Sequence, residues 1–219
     1  MPLSSTLLVM AKAPVAGRVK TRLCPPCRPE QAAAIAEAAL ADTLDAVLRC
    51  GAERRLLALD GEPGPWLPDG YEVVAQVGDG FADRLAAAWA LVEGPGLQIG
   101  MDTPQITPDL LDEGLAALVR ADSAIGPALD GGWWAIGMRT ATPSVFAGVP
   151  MSTEQTCRHQ VAAMRAAGLD PVQLPPLLDI DTMDDARTVA KALPASRTAA
   201  AVDAVRSERA SVPPPGSSP

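Results

Sequence analysis

Aromatic residues make up only 3% of this 219-residue chain, and histidine occurs once, at His159. With so few rings, a core must come from Ala, Leu, Val and Gly, which suits close approach of helices to a sheet; the apolar fraction of 48% is ample for it. Only four cysteines are present, and Cys24-Pro-Pro-Cys27 has no second Cys/His pair to complete a zinc knuckle. A redox CxxC normally opens a helix directly after a strand, whereas this one ends a long loop and has proline at both inner positions. No apolar run is long enough to span a bilayer, and the N-terminus lacks the charged region of a secretion signal, so a cytoplasmic location is expected. The formal net charge of -8 argues against a general nucleic-acid binder, which needs basic surface to displace counterions.

The most informative absence is local. The first 29 residues contain no carboxylate, yet Lys12, Arg18, Lys20, Arg22 and Arg28 all fall there. These cations follow the apolar run Thr6-Leu7-Leu8-Val9-Met10, are interleaved with Pro14 and Gly17, and precede an Ala-rich helical pattern beginning at Pro29. A strand, a basic glycine-containing loop and a helix form the usual cradle for a small phosphate ligand in α/β proteins, because backbone N–H groups and the helix N-terminus add to the side-chain charge.

Elsewhere apolar runs and helical periods alternate. Strands are expected near Thr6–Met10, Glu53–Leu59, Tyr71–Gln76, Leu97–Gly100, Ser123–Ala128 and Trp133–Met138, with a short one at Pro171–Leu174. Helices are expected at Pro29–Arg49, Phe81–Val92, Pro108–Arg120, Glu154–Ala167 and Met183–Ala192. That alternation is the signature of βα units and an α/β fold with a mostly parallel, Rossmann-like sheet. Residues 1–194 read as a single α/β domain, 195–210 as a C-terminal helix, and the Pro/Ser-rich 211–219 as a disordered tail.

Three acidic motifs accompany the basic loop. Asp102, in Gly100-Met101-Asp102-Thr103-Pro104, stands at the C-terminal tip of a strand, where open α/β sheets bind ligands. It could hold a divalent cation bridging to the phosphates, a role that suits Mg2+, or it could cap a turn ahead of Pro104. Asp130-Gly131-Gly132 leaves room for a ligand to approach the backbone, although a plain hairpin turn also uses Asp-Gly. Asp179-Ile180-Asp181-Thr182 precedes a helix, with Thr182 and Asp185 spaced as a capping box. Of Trp133 and Trp134, one points into the core and the other to the opposite face, where it could stack on a sugar or base. Ser152 and Thr153 read as caps of the following helix or as contacts to an acceptor. His159, without a catalytic partner, reads as an exposed structural residue.

In order and spacing, Lys12-Ala-Pro-Val-Ala-Gly-Arg-Val-Lys-Thr-Arg-Leu23, Gly100-Met-Asp-Thr-Pro104, Gly126-Pro-Ala-Leu-Asp-Gly-Gly132 and Asp179-Ile-Asp-Thr182 resemble the nucleotide-diphospho-sugar transferase superfamily, with its GT-A-like, three-layer αβα sandwich. The closer resemblance is to a bacterial glycosyltransferase-like family, some members of which are associated with arsenosugar biosynthesis. A more distant one is to the guanylyltransferases that activate phospholactate or phosphoenolpyruvate. The resemblance implies that Asp102 and Asp181 are ligands of Mg2+ or Mn2+, that Lys20 and Arg22 hold phosphates with Lys12, Pro14, Gly17 and Arg18 around them, and that Gln76, Gly78 and Arg84 line the base pocket. Asp102, Asp130 and Lys20 are the expected catalytic residues, and Asp130, Gly131, Gly132, Trp133, Ser152 and Thr153 the expected substrate contacts. The implied partners are a nucleotide or nucleotide-sugar and a small-molecule acceptor. Glycosyl transfer and nucleotidyl transfer with pyrophosphate release both fit the pattern.

Overall fold

Alternation along the strands sets the layers. In the computed structural model, which describes residues 4–211, β1 (Thr6–Lys12) sends Leu7, Val9 and Ala11 to one face of a sheet and Leu8 and Met10 to the other, all buried. Among the described residues the remaining strands are β2 (Arg54–Asp60), β3 (Glu72–Ala75), β4 (Gly96–Ile99), β5 (Ser123–Pro127), β6 (Trp133–Met138) and β7 (Val172–Gln173). They form one seven-stranded sheet in the order β3-β2-β1-β4-β6-β5-β7. All strands share one direction except β6, which runs antiparallel to both β4 and β5.

Helices α1 (Pro29–Arg49) and α3 (Pro108–Arg120) cover one face through Leu40, Leu44, Val47, Leu111 and Leu118. On the other face lie α2 (Phe81–Trp89) and α4 (Thr156–Ala166), with Trp89 wholly buried, its ring centroid 6.5 Å from that of Phe146, and its indole N–H donating to Gln98 Oε1 at 3.3 Å. The result is the α/β sandwich with a mostly parallel sheet that the pattern implied. No helix among the described residues is long and apolar enough to cross a membrane.

The last two helices, α5 (Met183–Ala192) and α6 (Arg197–Ser211), build a third cluster against α1 with Leu23, Ile35, Ile180, Met183, Val189, Val202 and Val205. Asp42 on α1 accepts from the Thr198 amide at 2.9 Å and its hydroxyl at 2.7 Å, so the start of α6 is pinned to the body. The expected tail 211–219 lies outside the described residues apart from Ser211, the final residue of α6.

Element ends differ from expectation where tertiary pairing outweighs local pattern. β1 continues to Lys12 because β2 supplies a partner for every residue as far as Asp60. Helix α4 begins at Thr156 rather than Glu154, and Ser152 is not its cap: it stands outside the helix, with φ 59°. The motif Ala128 to Gly132 is a hairpin turn between β5 and β6, closed by the Ala128 amide on the Gly132 carbonyl at 2.9 Å. Replacing Trp89 by Ala removes a buried ring and leaves Gln98 Oε1 without its donor; stability is expected to fall by about 3–5 kcal/mol, read from the urea-denaturation midpoint.

Candidate active site

Because β6 opposes its neighbours, its N-terminus lies at the same sheet edge as the C-termini of the other strands. Along that edge the strand order sets out Gln76 after β3, Asp60 at the end of β2, Lys12 at the end of β1, Asp102 after β4, Trp133 at the start of β6 and Asp130 in the turn after β5. These residues line one cleft of about 870 Å³, at the edge where open α/β sheets hold their ligands. Beyond β7 the chain stays beside β5, with the Leu177 amide donating to Pro127 at 3.1 Å, and then crosses to β4, where the Ile180 amide donates to the Asp102 carbonyl at 2.9 Å. That path brings Asp179 and Asp181 into the same cleft.

The basic loop reaches this cleft in an unexpected way. Lys20 adopts a left-handed backbone conformation, φ 48°, uncommon for a residue with a side chain. Its side chain is 9% exposed, and the ammonium group bonds Asp102 Oδ1 at 2.8 Å, stands 3.8 Å from Asp181 Oδ1 and donates to the Ile180 carbonyl. Arg22 pairs with Asp181 at 2.7 Å. Lys12 stands 3.8 Å from Asp60, whose carboxylate also accepts from Arg84 at 3.1 Å. Arg18 is exposed beside Lys20 in a smaller adjoining hollow and has no ion pair among the described residues. Arg28 leaves the group altogether: it pairs with Glu208 of α6 at 2.8 Å. Pro14 and Gly17 shape the turn, Gly17 with φ 75°, and line neither hollow.

The carboxylates also group differently from the expected Asp102–Asp181 pair. Oxygens of Asp130, Asp179 and Asp181 all lie within 4.8 Å of one another, whereas the Asp102 carboxylate is turned to Lys20. Three hard oxygen donors converging in a cleft suit Mg2+ or Mn2+. Burial, then the nearby Asp130 and Asp181 charges, push the Asp179 carboxyl up to about 6, against a weaker opposing pull from Lys20. The trio is thus short of positive charge, which a divalent cation would supply.

The two flanks have distinct chemistry. At the β3–β2 end Gln76 donates its amide hydrogens to the Ala11 and Ala58 carbonyls at 2.8 and 3.0 Å, which fixes the side chain at the cleft wall. Gly78 does not line the cleft; at φ 136° it abuts Asp83, and its carbonyl accepts from Arg84 Nε at 3.3 Å. At the β6–β5 end Gly132, Trp133, Ser152 and Thr153 line the cleft with Asp130. Gly131 plays a packing role instead: a Cβ there would lie 2.1 Å from the Glu154 carbonyl, so the turn is pressed against residues 151–156. Trp134 is the core-facing ring of the pair, its indole N–H donating to Pro175 at 2.9 Å, and Trp133 packs beside Phe146. His159, half-buried on α4, stands outside the cleft, and no disulfide links any of the four cysteines.

Asp60, Thr103 and Glu154 are among the lining residues that the sequence reading did not assign to the site. Asp60 carried the same signal as Asp102, an acid at a strand's C-terminal tip, but without a motif around it. Thr103, 2% exposed with an unpartnered hydroxyl, and Glu154 became visible only once the chain was folded.

No curated protein matches the sequence. Among solved structures, a protein from Desulfovibrio desulfuricans G20 provisionally named a nucleotide-diphospho-sugar transferase is 28% identical, with a TM-score of 0.83 over 93% of this chain and 97% of that one. Rv0371C of Mycobacterium tuberculosis H37Rv, solved as a complex with manganese, is 25% identical, with a TM-score of 0.52 over 85% and 97%. The 2-C-methyl-D-erythritol 4-phosphate cytidylyltransferase of Thermus thermophilus shares the fold at 16% identity, with a TM-score of 0.52 over 94% and 100%. The fold is therefore that of the nucleotide-diphospho-sugar transferases and their nucleotidyltransferase relatives. A family model matches residues 34–153, and by that match the chain belongs to DUF2064, described as an uncharacterized protein conserved in bacteria.

Proposed function

We propose that the protein is a nucleotide-dependent glycosyltransferase, moving a sugar from a nucleoside-diphosphate donor to a small-molecule acceptor, with Mg2+ or Mn2+ held by Asp130, Asp179 and Asp181. The observation that carries this reading is the state of the basic loop. Five free cations would be many for a diphosphate already bound to metal. In the fold Arg28 serves α6, Lys12 serves Asp60, and Lys20 and Arg22 are shared with Asp102 and Asp181. The positive charge left over suits a diphosphate and one cation better than a triphosphate.

A bound cation would neutralise the departing diphosphate, and the manganese complex of Rv0371C supports this chemistry. Lys20 and Arg22 would donate to the phosphate oxygens as the nucleotide takes over from their aspartate partners. Gln76 and Arg84, at the β3–β2 end, would meet the base. Nucleotidyl transfer remains the second reading, supported by the fold shared with a cytidylyltransferase and by the placing of Arg18 and Lys20 in one hollow. Incubation with a panel of sugar nucleotides and of NTPs, plus small acceptors, separates the two: the glycosyl reading expects nucleoside diphosphate, and pyrophosphate release from an NTP would replace it with the second.

Two binding measurements follow. A cation needs the Asp179 carboxylate deprotonated; with its titration near 6, Mn2+ affinity by calorimetry is expected to hold above that pH and to fall as the pH drops below it, by up to about tenfold per unit. Asp179→Asn should weaken binding at neutral pH and flatten this dependence. Lys20→Ala with Arg22→Ala removes two charge-assisted donors, so nucleoside-diphosphate affinity should fall by about a hundredfold; a change within a factor of two would take the phosphates elsewhere.

A further inference from the structure

The charge of the cleft reverses from one end to the other. On the β3–β2–β1 side its lining includes Lys12 and Arg84, with Arg22 over the centre; on the β6–β5–β7 side it includes Asp130, Glu154 and Asp179 and, among the described residues, neither lysine nor arginine. With the cation held by Asp130, Asp179 and Asp181 engaged by the donor diphosphate, a phosphate group on the second substrate would find no lysine or arginine at this end and would face the carboxylate of Glu154. Hydroxyl hydrogens, by contrast, would find acceptors.

Glu154 differs from the other carboxylates that line the cleft. Asp60 and Asp102 are tied to cations, and Asp130, Asp179 and Asp181 form the trio, but Glu154 has no ion pair among the described residues. Its backbone is held firmly: the Glu154 carbonyl abuts Gly131, Ser152 takes the left-handed conformation, and the Thr156 hydroxyl accepts from the Thr153 amide at 2.9 Å while donating to Pro150 at 3.0 Å. Two lining residues also carry buried polar atoms without partners, the Trp133 indole N–H and the hydroxyl of Thr103, a residue only 2% exposed. An aromatic side chain and hydroxyl residues beside an unpaired carboxylate are the chemistry of a polyhydroxylated ligand.

We propose that this end of the cleft takes an acceptor bearing free hydroxyls and no phosphate, a sugar or polyol, with Glu154 accepting the hydrogen bond of the attacking hydroxyl. This rests on the glycosyl-transfer reading. The acceptor oxygen bonds to the anomeric carbon of the donor, and the bond from that carbon to the diphosphate breaks. Its electron pair leaves on the nucleoside diphosphate, and the hydroxyl proton passes to Glu154 and then to water.

Matched acceptor pairs test it: glycerol against glycerol 3-phosphate, glucose against glucose 6-phosphate and inositol against its monophosphate, each with a panel of sugar nucleotides and Mn2+. Phosphate-free members are expected to stimulate nucleoside-diphosphate release at least about tenfold more than their esters. Glu154→Gln should lower that stimulated release by about a hundredfold or more while calorimetric affinity for the nucleoside diphosphate stays within twofold, and Glu154→Lys should shift the preference toward the esters. Stimulation by the esters alone, or by neither member, overturns the acceptor assignment and leaves the donor reading standing where nucleoside diphosphate is still released. Pyrophosphate release from an NTP with an ester overturns both. Unchanged stimulated release in Glu154→Gln overturns the role given to Glu154.

Discussion

The Lys20 ammonium ties three distant parts of the chain into one site. It sits in the loop after β1, bonds the carboxylate at the end of β4 and reaches the segment ahead of α5 through Asp181 and the Ile180 carbonyl. With the Lys20 side chain only 9% exposed, its charge is tolerable because oxygen acceptors surround it. The left-handed backbone at Lys20 costs energy that this constellation offsets. With Lys20 in place, Asp102 and Asp181 can approach each other, and Asp181 can stand beside Asp130 and Asp179 without all the acidic repulsion falling on one spot.

Around that clamp the strand order distributes chemistry. The single reversed strand, β6, allows a hairpin turn, Ala128 to Gly132, to project from the same edge as the loops after β1, β2 and β4. One end of the cleft thereby collects the loops with cations and the other collects acids and a tryptophan. The proposed nucleotide and acceptor ends follow that asymmetry. The packing of α5 and α6 on α1 supports it from behind, because Ile180 and Met183, buried in that third cluster, anchor the segment that carries Asp179 and Asp181.

Much of the fold was legible in advance, for a plain reason. Period-two alternation in β1 and the long apolar face of α1 are properties of neighbouring residues, and burial on both sides of a parallel sheet leaves little choice of partner. The short elements were less legible. β7, two residues long, and the start of α4 depend on what lies beside them, and Ser152 and Thr153, which look like caps in one dimension, belong to a strained loop braced by Gly131. The candidate site shows the same division. Lys20, Asp130 and Asp181 stood out by local composition, whereas Glu154, lacking any motif, enters the cleft only because the hairpin turn presses against its loop.

By itself, the sequence determined that a basic loop follows the first strand, that acids close the later ones and that the core is aliphatic, since these rest on which residue types are adjacent. Only the tertiary structure decided where the charges go. It sent Arg28 to Glu208, Lys12 to Asp60 and Lys20 to Asp102, and it grouped Asp179 and Asp181 with Asp130. The physical reason is that Coulomb energy and desolvation depend on separation and burial in three dimensions, so residues up to 180 positions apart, Arg28 and Glu208 among them, set one another's role.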